Sequence, residues 1–357
     1  MLKVLFCSLR YDYGNPQAGM SLEYKSLFGS LQHMPGVQVE FFGFDEIMSR
    51  VGRDEMNNLL LKQVKEQRPN LLFCCLFTEE IKKETIAEIT KNTPTKTFNW
   101  FGDDNWRVPV FSRFWAPLFT MVSTTDSQAL QIYKSYGINN VIKTRWGANP
   151  HLYFPQDENL NPRNLEVTFI GQKFGRRPLY IKQLRRNNIL VQTFGSGWAE
   201  GLVDHQRMLE IYSWSKINLN FSETPYYGFR KKFNLLAKLF IKKELGKYSL
   251  NVKNFWSNWL AAKSTQRRPV KARVFEVLAC GGFLLTGKSD EPVEQIYQPG
   301  KEIVVFDSQN DLIDKVRYYL QHDKERQEIA AAGFERTIKE HTYAKRFKEI
   351  FQSMQLM

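Results

Sequence analysis

The sequence predicts an α/β protein made of two doubly wound, mostly parallel-sheet units in tandem. Three observations carry that reading. Short, uninterrupted apolar runs alternate with helical patterns through the first 146 residues. The Asn- and Pro-rich stretch GANPHLYFPQDENLNPRN then breaks the rhythm and reads as a linker. The alternation restarts at EVTFIG. At 357 residues the chain is also longer than one core commonly fills.

In the first half, KVLFCSL, VQVEFFGF, NLLFCCLF, TKTFNWF, FMVSTT and NVIKTRW read as strands. Runs this short and this apolar suit strands buried on both faces. Between them SLEYKSLFGSL, EMNNLLLKQVKEQ, KKETIAEITK and SQALQIYKSYG read as helices, the last closed by Gly137. In the second half EVTFIG, LVQTFG, INLNFS, FLLT and EIVVFD are strands. LYIKQLRRNN, DHQRMLEIYSWS, ARVFEVLAC and NDLIDKVRYYLQH are helices, and the end from KERQEIAAAG onward is helical throughout. The expected domains are 1–150 and 164–342, with the hinge near Gly147–Arg163.

The chain carries a net charge of +13, nine of those charges within Glu223–Pro269. Confinement to one insertion, with no RNA-binding motif, argues against nucleic acid as a partner. Cys7, Cys74, Cys75 and Cys280 have no C-x-x-C spacing and no clustered histidines, so they read as core thiols in a reducing compartment. No apolar run approaches a bilayer span and no secretory leader is evident, so the expected location is cytoplasmic.

The stretch KARVFEVLACGGFLLT, Lys271–Thr286, carries chemistry as well as pattern. Val274, Val277 and Leu278 make the sheet-facing stripe, while Arg273 and Glu276 share another face. Gly281 and Gly282 end the helix and let backbone approach a ligand. The plainer alternative is a helix stop with a surface ion pair.

This stretch, followed by EPVEQIYQPGKEIVVF and HTYAKRF, resembles the C-terminal half of GT-B-fold glycosyltransferases. It is most similar to the spore-maturation, CgeB-like group, related to glycosyltransferase families 1 and 4. VTFIGQKFGRRPLYIKQLRRNNILVQTFGSGW resembles the start of the same domain, and WFGDDNW the N-terminal domain of the group. The resemblance covers most of the chain except Glu223–Pro269. It implies two Rossmann-like domains facing a cleft, with the terminal helix, 343–357, packing back on the first. It implies transfer of a sugar from a nucleotide-sugar to a glycan, lipid-linked or protein acceptor, without metal or other cofactor; Asp103 and Asp104 are adjacent and do not make a D-x-D motif.

A diphosphate leaving group needs cations or backbone N–H groups. Arg176, Arg177, Lys271 and Arg273 are the candidate cations. Gly171 opens the first loop of the second domain for phosphate approach. The resemblance assigns Glu276 to the nucleotide ribose. Where many retaining relatives carry a further glutamate, eight residues earlier, this chain has Arg268. That departure motivates the alternative of a catalytically inactive nucleotide-sugar-binding protein. In the first domain the loop RYDYGNPQAGM carries Gly14 and Gly19 and is not a G-x-G-x-x-G dinucleotide loop. Asp12, Asp103 and Asp104 are the candidates for general base or acceptor contact. Of five unclustered histidines, His151 alone lies near the hinge.

The basic insertion, 223–269, has two readings. RKKFNLLAKLFIKKELGK is amphipathic when drawn as a helix, with Phe233, Leu236 and Phe240 on one face, and Trp256 and Trp259 follow. That composition suits a peripheral contact with an anionic membrane through 230–260. The other reading is a solvated basic helix docked on its own domain.

Overall fold

The computed structural model describes residues 1–157, 165–222, 259 and 267–357, and the backbone of 241–244 and 247–250. Two compact units divide it: Met1–Arg145 with Tyr343–Met357, and Trp146–Thr342. The boundary falls between Arg145 and Trp146, so the first residues of the linker belong to the second unit.

The first unit holds six strands: β1 (Leu2–Ser8), β2 (Val37–Gly43), β3 (Leu71–Cys74), β4 (Lys96–Phe101), β5 (Met121–Thr124) and β6 (Val141–Lys143). They lie in the order β2-β1-β3-β4-β5-β6, every neighbouring pair parallel. Alternation decides the faces. Leu5, Cys7, Leu72 and Cys74 point into one core, packed with Met56, Leu60 and Ile86 from the helices Phe44–Gln67 and Lys83–Asn92. Phe6, Phe73 and Trp100 point to the other face, where Phe28 and Phe347 meet them.

Two local readings change. Helix Phe44–Gln67 begins well before the predicted one and breaks at Gly52, whose φ of +82° only glycine adopts freely. The C-terminal helical run divides at His341–Thr342 into Asp323–Glu340 and Tyr343–Ser353, and the second of these belongs to the first unit.

The second unit holds β7 (Val167–Ile170), β8 (Val191–Phe194), β9 (Ile217–Asn220), a separate antiparallel pair β10 (Ile241–Glu244) and β11 (Lys247–Leu250), β12 (Leu284–Gly287) and β13 (Val304–Phe306). Its main sheet runs β13-β12-β9-β7-β8, again wholly parallel. Phe169, Leu219 and Leu285 face the helices Arg177–Arg186 and Gln309–Gln321. The opposite face packs on helix Ala272–Ala279, whose Val274, Val277 and Leu278 are all buried.

The amphipathic-helix reading of the insertion does not hold over 241–244 or at Lys247, where the backbone pairs as β10 and β11. Most of the segment read as a membrane contact, 230–260, lies outside the described residues. Among the described residues no helix is long and apolar enough to cross a membrane. Cys7, Cys74, Cys75 and Cys280 are free and buried.

Candidate functional site

Parallel α/β sheets bind ligands beyond strand carboxyl ends, where the strand order reverses. In the second unit that point lies between β7 and β9. One side chain, Arg273, gathers the elements there. It stands on the first turn of helix Ala272–Ala279, and its Nη1 donates to Asn220 Oδ1, at the end of β9, at 3.4 Å. Asn220 Nδ2 in turn donates to Thr286 Oγ1 on β12 (2.9 Å). Gly171, just past β7, lies under the same guanidinium: a Cβ there would meet Arg273 Nη2 at 2.9 Å. Its φ of +155° also disfavours any side chain. A cation is thus held half-buried where three strands end.

Glu276 lies one turn further along this helix and is 9% exposed. The buried Tyr212 hydroxyl has Arg273 and Glu276 as electrostatic neighbours; burial raises its pKa, which Arg273 opposes and Glu276 reinforces. Lys271 precedes the helix at half exposure.

The loop after β7 is braced from two sides. Trp198 Nε1 donates to Gly171 O at 2.7 Å. Arg177 donates through Nη1 to Gln172 O (2.9 Å) and through Nη2 to Phe221 O (3.3 Å), the residue following β9. Its guanidinium lies 3.8 Å from the Phe174 ring centroid, and the residue is 4% exposed. Arg177 therefore shapes the loop and offers no open charge. Arg176, beside it, is exposed.

In the first unit the segments after β1 and β4 carry acid. Asp12 and Asp103 are exposed and Glu23 is half-buried. Burial raises the Glu23 carboxyl pKa, and the nearby charges of Asp12 and Asp103 raise it further. Burial raises Asp12 as well, against Lys25. Asp104 differs: it is 1% exposed, accepting from Ser112 Oγ at 2.5 Å and from Tyr133 OH at 2.8 Å. Burial, which outweighs these donors, lifts its pKa to about 7.

Residues 176–352 match the family model described as glycosyl transferase-like. Over 238 residues the chain is 21% identical to the spore protein CgeB of Bacillus subtilis (strain 168), covering 62% of this chain and 64% of that protein, just under two thirds of the relative's length. Three solved structures resemble the chain from end to end. Sucrose-phosphate synthase from Thermosynechococcus elongatus superposes with a TM-score of 0.59 at 11% identity, over 99% of each chain. A glycosyltransferase from Rickettsia africae ESF-5 gives 0.61 at 10%, over 99% of this chain and 98% of that one. Anabaena Alr3699/HepE, in complex with UDP, gives 0.60 at 9%, over 100% of both.

The chain has the GT-B glycosyltransferase fold. Its resemblance is to the CgeB-like group.

Within this GT-B fold, the structure brings together Gly171, Arg273 and Glu276 of the residues singled out in sequence. Lys271 directly precedes their helix, and Arg176 is exposed at the start of helix Arg177–Arg186. It separates Gly281 and Gly282 from that group. These follow the helix and precede β12, so they lie at the amino end of the sheet, beyond Ala279, which is itself about 9 Å along the helix from Arg273. Gly281, at φ +69°, closes the helix, its N–H donating to Leu278 O at 3.0 Å. Gly282 is there because a Cβ would lie 2.3 Å from Tyr212 O. Gly281 thus acts as a helix stop, and Gly282 as a close approach of backbone to Tyr212. Asp104 is likewise an internal scaffold group, whereas Asp12 and Asp103 share their surroundings with Glu23. His151 is exposed, in the loop before Tyr153. Sequence reasoning missed Asn220, Trp198 and Glu23. Asn220 left one signal: a polar residue closing a strand buried along its whole length.

Proposed function

We propose that this chain transfers a sugar, of hexosyl type, from a nucleotide-sugar donor to a glycan, lipid-linked or protein acceptor. The fold and the matched domain support nucleotide-sugar glycosyl transfer in general. Solved relatives of the same fold include one bound to UDP and to UDP-glucose, which favours a nucleoside diphosphate sugar as donor.

The observation that carries the reading is Arg273, held by Asn220 at the point where the strand order reverses, above a glycine that cannot be replaced without displacing it. A fixed guanidinium there would neutralise charge as it develops on a departing diphosphate. It would supply locally what a metal ion supplies in other transferases, so the reaction is proposed as metal-independent. Glu276, one turn along, would accept from ribose hydroxyls. Asp12 and Asp103 are the candidate bases for an acceptor hydroxyl.

A thermal-shift panel of nucleotide-sugars tests donor binding, since a ligand at a hundred times its Kd adds about 2.7 kcal/mol. Turnover of the best binder, with and without EDTA, tests the rest. No shift with any donor, or turnover abolished by the chelator, would overturn the corresponding claim.

A second reading has an observation of its own. Arg268, in place of the glutamate common in retaining relatives, is tied to Asp290 by its backbone N–H (2.8 Å) and its side chain (3.3 Å). If that substitution removes the donor-sugar contact, the chain binds nucleotide-sugar without transferring it. Specific binding with neither hydrolysis nor transfer would establish this reading.

A further inference from the structure

The loop after β7 is held more tightly than a connection needs to be. Two successive carbonyls accept from side chains on different elements: Gly171 O from Trp198 Nε1 (2.7 Å), and Gln172 O from Arg177 Nη1 (2.9 Å). The backbone adds two bonds, one to the last residue of β8 and one to the loop after it. Gly171 N donates to Phe194 O (2.7 Å) and Lys173 N to Ser196 O (2.9 Å). Gly195, at φ +119°, lies so close that a Cβ would meet the Gly171 carbonyl at 2.7 Å. Only glycine allows the two loops to touch in this way.

A trans peptide sets its N–H opposite its C=O. With Gly171 O drawn toward Trp198 in the loop after β8, the Gln172 N–H must turn the other way, toward the side where the strand order reverses. Arg273 stands on that same side, close over Gly171. Arg177 then joins the loop to the exit of β9 through Phe221 O (3.3 Å), so the two strands flanking the reversal are tied by one guanidinium. The aromatic rings fix both donors: Trp198 packs edge-on to Phe169, and Arg177 lies over Phe174.

We propose that Trp198 and Arg177 are positioning residues, which aim the Gln172 amide, beside Arg273, at the donor's diphosphate. Neither touches the ligand. Trp198 acts through Gly171 O, the carbonyl of the peptide that carries the Gln172 N–H; Arg177 holds the next peptide through Gln172 O, whose own N–H partner, on Lys173, is given to Ser196 O, so that Gln172 is clamped from both sides. A fixed N–H is worth more to an anion than a mobile one. The proposal rests on the donor-binding reading above.

The test separates diphosphate from nucleoside. Among UDP, GDP, ADP, CDP and dTDP, the tightest binder to the wild type is taken, with its own nucleoside, into calorimetry. Trp198→Phe keeps the ring and removes the donor; Arg177→Lys keeps a charge and removes the two-point tie. Each should weaken the diphosphate roughly tenfold, the scale of one well-placed hydrogen bond. Affinity for the nucleoside should stay the same. Equal losses for both ligands, or diphosphate affinity within twofold of wild type, would mean the braces are structural only. If neither variant folds, hydrogen exchange in the wild type decides: the Gln172 amide must be slowed by the diphosphate and not by the nucleoside. Should the wild type bind none of the five, the donor-binding reading itself falls; should it bind and the variants behave as wild type, only the positioning role falls.

Discussion

The two units share a scaffold and differ in what they place on it. Numbered within each unit, both main sheets begin with the order 2-1-3-4-5, and both are wholly parallel. At the carboxyl ends of the first unit stand Asp12, Glu23 and Asp103. At those of the second stand Arg273 and the braced loop after β7. A parallel sheet with this strand order creates a place for a ligand in either case, and the loop residues decide the sign of charge it receives. The cationic end suits an anionic donor, and the acidic end suits a hydroxyl that must lose a proton.

Reversing the charge of the second unit gives the sharpest contrast. Arg273→Glu should weaken nucleotide-sugar binding by about a thousandfold, because an attractive contact becomes a repulsive one. Asp103→Asn, in the first unit, should leave that affinity unchanged. Calorimetry on the two variants checks the pair, and a comparable loss in both would erase the proposed division of labour.

Asp104 breaks the acidic pattern by being buried, and pH exposes the difference. Its pKa rises from an ordinary 3.8 to about 7 on folding, so between those values the folded state keeps a proton that the unfolded state releases. Its contribution to stability is therefore complete below 3.8 and is lost as pH rises through about 7, at a slope of up to about 1.4 kcal/mol per pH unit. Asp104→Asn cannot titrate. Its melting temperature should gain on the wild type as pH increases across that window, and parallel profiles would contradict the assignment.

Glu276→Ala should cost donor affinity roughly ten- to a hundredfold, the range for a buried charge-assisted hydrogen bond. Binding of the bare diphosphate should change less, because the expected partner is the ribose. Gly282→Ala tests the opposite end of the same helix. Its Cβ would press on the Tyr212 carbonyl, so denaturant melts should show a loss of about 1–3 kcal/mol. Donor affinity, measured where the variant is folded, should remain that of the wild type.

Most of the architecture could be read in the sequence because buried parallel strands write themselves as short apolar runs. KVLFCSL and EVTFIG are β1 and β7 to within two residues at either end. Less could be read of the site. The spacing of Arg273 and Glu276 showed that they share a helix face, and that local fact survived folding. The two glycines, near Arg273 in sequence, lie apart from it in space, because a crossover helix carries its own length away from the strand ends it leaves. Arg177 was legible as a cation but not as a buried one. Its carbonyl partners, Gln172 and Phe221, follow different strands, and no local pattern records that meeting. Trp198 was hidden for the same reason.

The last helix, Tyr343–Ser353, has a consequence for how the molecule is made. Its Phe347 packs between Phe73 and Trp100 on a face of the first unit that β1 to β4 have already built. A ribosome delivers those strands early and this helix only after the whole of Trp146–Thr342 has emerged. Until then the sides of Phe73 and Trp100 that Phe347 covers have no such cover. The second unit is continuous in sequence and can finish first, even though its synthesis starts later. During that interval the nascent chain carries an uncovered aromatic surface, and such a surface is what a chaperone recognises.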